Sequence, residues 1–482
     1  GHFDFTLTDK VLQQARRNNL KVVFLWFGAW KNSMSCYAPL WFKENHKKYP
    51  RAYTQTGKPL EIASAFSENV YQADNRAFSA WLQHIAAIDK EESTVIMVQI
   101  ENEIGMLEDA RDYSQEADKA FRAPVPTELM NYLQKNKKTL HSQMIKKWES
   151  QGCKKQGTWQ EVFGADIYTD EIFMAWHYAR YVERMAQTAR SIYNVPLYVN
   201  VAMNSRGRKP GEYPSAGPLA HLIDVWRCGA PNIDILAPDL YDDGFTNWVA
   251  QYKLHNNPLF IPEIRLTDNN GVRAFYIFGE HDAIGISPFS IEDGSDSSDS
   301  PLVQSYTRLK ELMPLLTEYQ GKGMMKGLLF NQKDKERIIT DDDLSITCRH
   351  YFTLPWDPRA TDGSAWPEGG GLILKLSKNE YIVAGSGIVL EFTKASEKPG
   401  SEIRKQLGED GFALSNEQIK TKKERFQGMR CGIGHVDEVE VDKEGKFRYI
   451  RRLNGDQDHQ GRHVRISVGE FKILHVRLYE YQ

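Results

Sequence analysis

The sequence predicts an α/β fold, a (β/α)8 TIM barrel over residues 1–324 followed by a C-terminal antiparallel β domain over 325–482. Three observations predict it. Apolar, β-branched runs alternate with amphipathic helical stretches as far as about residue 290, the pattern of βα units and a parallel sheet. Several runs end abruptly in acids, amides or aromatic rings, as strands do at the carboxyl-terminal mouth of a barrel. After the polar loop "DGSDSSDSP" (293–301) the texture changes to short alternating runs punctuated by turn residues, which reads as hairpins.

Taken in order, Thr8 to Asn18 reads as a helix and "LKVVFLWFGAW" (20–30) as the first strand. A helix follows with Phe78, Trp81, Leu82, Ile85 and Ile88 on one face. "STVIMVQIE" (93–101) is the second strand, buried on both faces by its unbroken apolar run. Ile172, Trp176, Ala179, Val182 and Met185 then recur at helical spacing, with His177 among them read as a packing residue rather than a ligand. "VPLYVNVAM" (195–203), "IDILAPDLY" (233–241), "NPLFIPEIR" (257–265) and "AIGISPFSI" (283–291) are the remaining strands of this part. A last helix falls near 304–320, and "GGGLILKLSKNEYIVAGSGIVLEF" (369–392) and "EFKILHVRLYEY" (470–481) carry the hairpin pattern. "PEGGG" is a turn, since no strand-to-helix context surrounds it.

Six parallel strands are two fewer than a closed eightfold barrel needs, and the Thr8 helix calls for a strand before it. The expectation is therefore strands three to eight, with the first two preceding Gly1. Exposed sheet edges invite aggregation, so a longer native chain or another cover for the gap is also expected.

Composition narrows the function classes. The chain has 482 residues, 41% of them hydrophobic, and 61 Lys plus Arg against 64 Asp plus Glu. No basic stripe points to nucleic acid, and no apolar stretch is long enough to span a membrane. The five cysteines form no Cys-x-x-Cys pair, and no His-Glu-x-x-His occurs, so a zinc site has no support and the thiols read as free.

The chemistry sits at the strand ends. These offer Trp26, Trp30, Lys31 and Asn32; Glu101, Asn102 and Glu103; Asn200 and Asn204; Asp239 and Tyr241; Glu263 and Arg265; and Ser287 and Phe289. Glu103 and Glu263 each close an apolar strand. A facing pair of carboxylates is what glycoside hydrolysis uses, one protonating the leaving oxygen and the other attacking or activating water. Aromatic rings supply flat faces for sugar C–H surfaces, and Asn amides bond hydroxyls. Trp30, Asn32 and Tyr241 are expected to line the cavity with both glutamates. The competing structural reading is an Arg-paired carboxylate network that merely closes the barrel. Strand alternation puts Glu101 on the same side as Glu103, where a sugar hydroxyl or a basic partner would explain it equally well.

The ordered set "LWFGAWKNS", "TVIMVQIENEIGML", "APDLY", "IPE", "GISPFSIE" and "PEGGGLILKL" resembles the family 35 glycoside hydrolases, mainly β-galactosidases, and among them a bacterial branch with a C-terminal β-rich domain. The resemblance implies a retaining exo-β-galactosidase acting on plant-type oligo- or polysaccharides, in the periplasm or secreted, without cofactor or metal. It implies Glu103 as acid/base, Glu263 as nucleophile, Asn102 on the sugar 2-hydroxyl and Tyr241 orienting Glu263. Two departures stand out. Gly28-Ala29-Trp30-Lys31-Asn32 lacks the glutamate of the usual "Ala-Glu-Trp", and "GHFDF" matches a turn that normally follows the second strand. The alternatives are a related exo-activity such as β-L-arabinopyranosidase and a non-catalytic carbohydrate-binding barrel.

Overall fold

The computed structural model describes residues 2–204, 207–254, 256–397 and 428–482. It divides into two compact units, Gly1–Arg265 with Ile284–Phe289, and Leu266–Ala283 with Ser290–Gln482.

The first unit is built on a six-stranded sheet in which all neighbours are parallel. Its strands are β1 (Val22–Lys31), β4 (Val95–Asn102), β5 (Leu197–Ala202), β6 (Ile235–Leu240), β7 (Phe260–Ile264) and β8 (Gly285–Pro288), in that spatial order. A short antiparallel hairpin, β2 (Arg51–Tyr53) and β3 (Pro59–Ala63), follows β1. The expected neighbours 20–30 and 93–101 do pair in parallel, Phe24 opposite Val98 and Trp26 opposite Ile100. Each sequence-predicted strand is present, starting two or three residues later than expected and ending within three residues of the expected position. The sheet is an open half-barrel with β1 and β8 at its edges among the described residues.

Helices fill the connections as βα units require. Helix Glu68–Asp89 links the hairpin to β4 and buries Phe78, Trp81, Leu82 and Ile85, while Ile88 at its end is 37% exposed. Its start is capped by Ser67, whose side chain accepts the Val70 N–H. Helix Ile167–Ile192 precedes β5, and its Ile172, Trp176, Ala179, Val182 and Met185 are all buried. His177 packs on Phe66 and Phe173, and desolvation pushes its pKa down to about 3, as befits a packing residue. Met97, Tyr198, Ile235, Ala237 and Phe260 form a buried cluster from four strands of the sheet.

In the second unit, helices Asn270–His281 and Pro301–Tyr319 accompany two antiparallel sheets. One sheet orders β10 (Glu336–Asp341), β11 (Leu344–His350), β14 (Ile388–Lys394) and β17 (Val464–Ile466). The other orders β16 (Phe447–Leu453), β15 (Arg430–Val441), β18 (Lys472–Tyr481), β13 (Glu380–Ser386), β12 (Gly369–Ser377) and β9 (Met325–Phe330). Leu328, Ile346, Val383, Leu390 and Val476 are fully buried in their shared core. Helix Asn270–His281 lies close on β9 and β12 through Gly279, where a Cβ would stand 2.7 Å from the Lys326 carbonyl. All five cysteines are free thiols.

Candidate active site

The register of the parallel strands gathers the polar ends at one edge of the sheet. Asp239 on β6 lies beside Glu263 on β7, and Lys31 on β1 beside Asn102 on β4. There the backbone departs from regular strand geometry. Asn32, Ser33, Glu101 and Glu103 have φ of 50°, 62°, 58° and 48°, left-handed values that cost a side-chain-bearing residue about 1–3 kcal/mol each.

Hydrogen bonds hold this conformation in place. The Glu103 N–H donates to Asn200 Oδ1 at 2.9 Å, the Asn32 N–H to Asn102 Oδ1 at 3.2 Å, and the Ser33 hydroxyl to the Glu103 carbonyl at 2.7 Å. The Trp30 N–H donates to Glu101 Oε2 at 2.7 Å. Strain at the end of β4 is thus spent on aiming side chains.

That strain corrects the expectation from alternation, since two left-handed residues in three break the period of two. Glu101 is fully buried with a partner set separate from that of Glu103: the Trp30 and Ala29 N–H groups and the carboxyl of Asp74. Burial, then the charge of Asp74, pushes the Glu101 carboxyl well above the usual range, and the two carboxyls face each other. Neither a sugar nor a basic side chain is needed to explain it.

Trp30 is also 0% exposed, with its ring packed edge-on against Tyr178 at 5.5 Å and Tyr181 at 4.9 Å. The indole therefore lies among the helices behind the sheet and does not line a cavity, contrary to expectation. Trp26 likewise turns to Asp74, donating from Nε1 at 2.9 Å.

Four of the expected residues do come together. Asn32 Nδ2 donates to Glu103 Oε2 at 2.8 Å, and the Tyr241 hydroxyl donates to Glu263 Oε2 at 2.7 Å. Carboxylate oxygens of Glu103, Asp239 and Glu263 all lie within 4.8 Å of one another. Asn102 is 1% exposed, and its buried Nδ2 has no hydrogen-bond partner among the described residues. Phe289 packs edge-on against Tyr241 and stays 53% exposed. Arg265 Nη2 donates to the Tyr241 carbonyl at 2.8 Å.

The residues that sequence reasoning left among plain strand ends are Asn200 and Asp239. Both are fully buried or nearly so, and Asn200 Nδ2 donates to Asp239 Oδ2 at 2.5 Å. The signal was available: an acid inside the apolar run "IDILAPDLY" is the same anomaly that singles out Glu103 and Glu263.

Burial raises the pKa of Glu103, and the neighbouring charge of Glu263 raises it further, against weaker opposing pulls from Asp239, Lys31 and Asn32. The three clustered carboxyls are close enough to share a cation. Each also accepts an amide or phenol donor, from Asn32, Asn200 and Tyr241 respectively. Beyond the ends of β5 and β6 lies a cavity of about 800 Å³, lined in part by Asn204, Asp242, Asn247 and Trp248.

The class is an α/β protein with a parallel half-barrel sheet and facing carboxyls at its strand ends, and comparison with known families adds to it. Residues 1–204 match the glycoside hydrolase 42 family model, described as beta-galactosidase, and residues 302–465 match a domain of unknown function, DUF5597. The family 35 resemblance is corrected accordingly: the matched family is 42.

Among solved structures, the chain is similar to a β-galactosidase from the psychrophilic Marinomonas ef1, with 13% identity over 66% of this chain and 53% of that one and a TM-score of 0.43. It is similar to a β-galactosidase from Bacillus circulans sp. alkalophilus, at 13% identity over 65% and 49% with a TM-score of 0.41. A β-mannanase from the blue mussel Mytilus edulis gives 14% identity over 61% and 69%, with a TM-score of 0.31. The chain spans about half the length of these two β-galactosidases. A comparison with curated proteins gives no match.

Proposed function

We propose that this protein is a retaining exo-glycosidase that releases terminal β-D-galactose from oligo- or polysaccharides, plant-type glycans being the class that the sequence resemblance implies. The observation that carries the reading is the approach of Glu103 and Glu263, whose carboxylate oxygens come within 4.8 Å. Retaining pairs stand about 5–5.5 Å apart, whereas inverting pairs need roughly 6.5–9.5 Å to admit a water. The family 42 match over residues 1–204 supports the β-galactoside.

In this mechanism Glu263, oriented by Tyr241, attacks the anomeric carbon while Glu103 gives its proton to the glycosidic oxygen. Glu103 must start protonated, which its burial and the charge of Glu263 favour. Once Glu263 is esterified and neutral, that repulsion is gone. Glu103 then becomes the base that deprotonates the water cleaving the glycosyl-enzyme. Asn102 holds the sugar 2-hydroxyl with its free Nδ2.

The test is hydrolysis of an aryl β-galactoside, with the first product's anomeric configuration read by NMR. A β-configured first product and a dead Glu263→Gln variant are expected. Failure of the parent chain to turn over would leave a carbohydrate-binding barrel, and an α-configured first product would make the enzyme inverting.

A further inference from the structure

Retaining hydrolysis needs two carboxyls, and this site holds three. Asp239 is 1% exposed and reaches the other two within 4.8 Å. Its Oδ2 accepts from Asn200 at 2.5 Å, while its Oδ1 has no donor among the described residues and the carboxyl faces that of Glu103 at hydrogen-bonding range. Two facing carboxyls can hydrogen-bond only if one of them carries a proton.

We propose that Asp239 is a positioning residue of the site: a carboxyl kept protonated, which donates a hydrogen bond to Glu103 and so fixes one oxygen of Glu103 while leaving the other to serve the glycosidic oxygen. The proposal rests on the glycosidase reading above and deepens it.

The surroundings say which of the two acids holds the proton. The groups facing Asp239 are Glu103 from β4, Tyr198 and Asn200 from β5, Tyr241 from its own strand, Glu263 from β7 and Tyr252 from the helix Phe245–Tyr252. All are acids, phenols or an amide. Lys31 at the end of β1 acts on Glu103 instead. Complete burial, followed by the charges of Glu263 and Glu103, therefore pushes Asp239 well above the carboxylate range, and at 1% exposed it lies deeper than Glu103 at 7%. A neutral donor beside Glu103 favours its ionised form, which is the form it must take when the proton leaves.

Asparagine can copy a protonated aspartic acid here, its oxygen accepting from Asn200 and its amide donating to Glu103. Leucine fills the same space with no donor. The experiment measures kcat/KM against pH on an aryl β-galactoside for the parent, Asp239→Asn and Asp239→Leu. The alkaline limb, where Glu103 loses its proton, should stay within about 0.3 pH unit in the Asn variant and move up by about one unit in the Leu variant. Infrared difference spectra of parent minus Asp239→Asn at pH 7 should show a protonated-carboxyl C=O band. That readout needs no turnover, so it decides the proposal even if the glycosidase reading fails or the Leu variant does not fold. A missing band, an Asn variant shifted as far as Leu, or a folded Leu variant with an unmoved limb would overturn it.

Discussion

The Tyr241 hydroxyl donates to Glu263 Oε2 over 2.7 Å, and the two residues come from adjacent strand ends. Burial and the neighbouring carboxylates keep the phenol protonated, so it remains a donor across the working pH range. A hydrogen bond to a charged acceptor contributes about 1.5–3 kcal/mol. Tyr241→Phe should therefore lower kcat/KM by about 10–100-fold. The ring, partly buried against Phe289, is retained. A melting temperature close to the parent's, together with the loss in rate, would assign the effect to Glu263; a variant at full rate would remove Tyr241 from the mechanism.

Asn200 serves two strands at once, accepting the Glu103 N–H at 2.9 Å and donating to Asp239 at 2.5 Å. Asn200→Ala leaves a buried N–H and a buried carboxyl oxygen unpaired, at about 1–3 kcal/mol for each. It also releases the left-handed turn at Glu103. Urea unfolding should show the stability loss, and turnover should fall by at least tenfold in the fraction that remains folded. A variant as stable as the parent would mean that water replaces the amide fully.

Trp30→Ala tests the corrected placement. A fully buried indole packed on Tyr178 and Tyr181 is part of the core, and truncating such a ring costs about 3–5 kcal/mol. The expected result is a large drop in the unfolding midpoint. Reduced sugar affinity in a chain of unchanged stability would restore Trp30 to the binding surface.

These corrections mark where sequence reading stops. The strands were legible because short apolar, β-branched runs, bounded by turns and alternating with helical stretches, leave few alternatives. The β2–β3 hairpin was not, since strands of three and five residues carry too little alternation. Trp30 and Tyr241 both close a strand, and nothing local tells a ring that turns to the helices from one that turns to the mouth. Tyr178 and Tyr181 decide it for Trp30, and they lie almost 150 residues away on another element. The turn at Glu101–Glu103 was equally hidden, because positive φ is expected of glycine and not of glutamate. Four residues of the candidate site, Asn32, Glu103, Tyr241 and Glu263, could still be named, because carboxylates and amides ending apolar strands are costly and rarely idle.

The same turn explains why β4 ends in Glu-Asn-Glu: Glu103 faces the chemistry, and Glu101 faces Asp74. Asp74 accepts from Trp26 Nε1 at 2.9 Å and from the Tyr181 hydroxyl at 2.8 Å and faces the Glu101 carboxyl, tying β1, β4 and two helices together. The fit is close, since a Cβ on Gly28 would stand 2.1 Å from Asp74 Oδ1. Burial raises the Glu101 pKa in the folded state, so the native protein binds this proton more tightly than the unfolded chain. Its contribution to stability is complete below the unfolded value, about 4.3, and is lost as pH rises through the raised folded value. Glu101→Gln keeps an oxygen for the Trp30 N–H and supplies an amide donor for Asp74, but it cannot ionise. Melting temperatures of the two proteins should nearly coincide at about pH 4, then diverge in favour of the Gln variant as pH increases. Comparing the pair cancels the other titrating carboxyls, which both proteins share. A constant difference at all pH values would show that Glu101 does not titrate on unfolding, and a Gln variant that falls behind as pH rises would show that Glu101 is ionised in the fold.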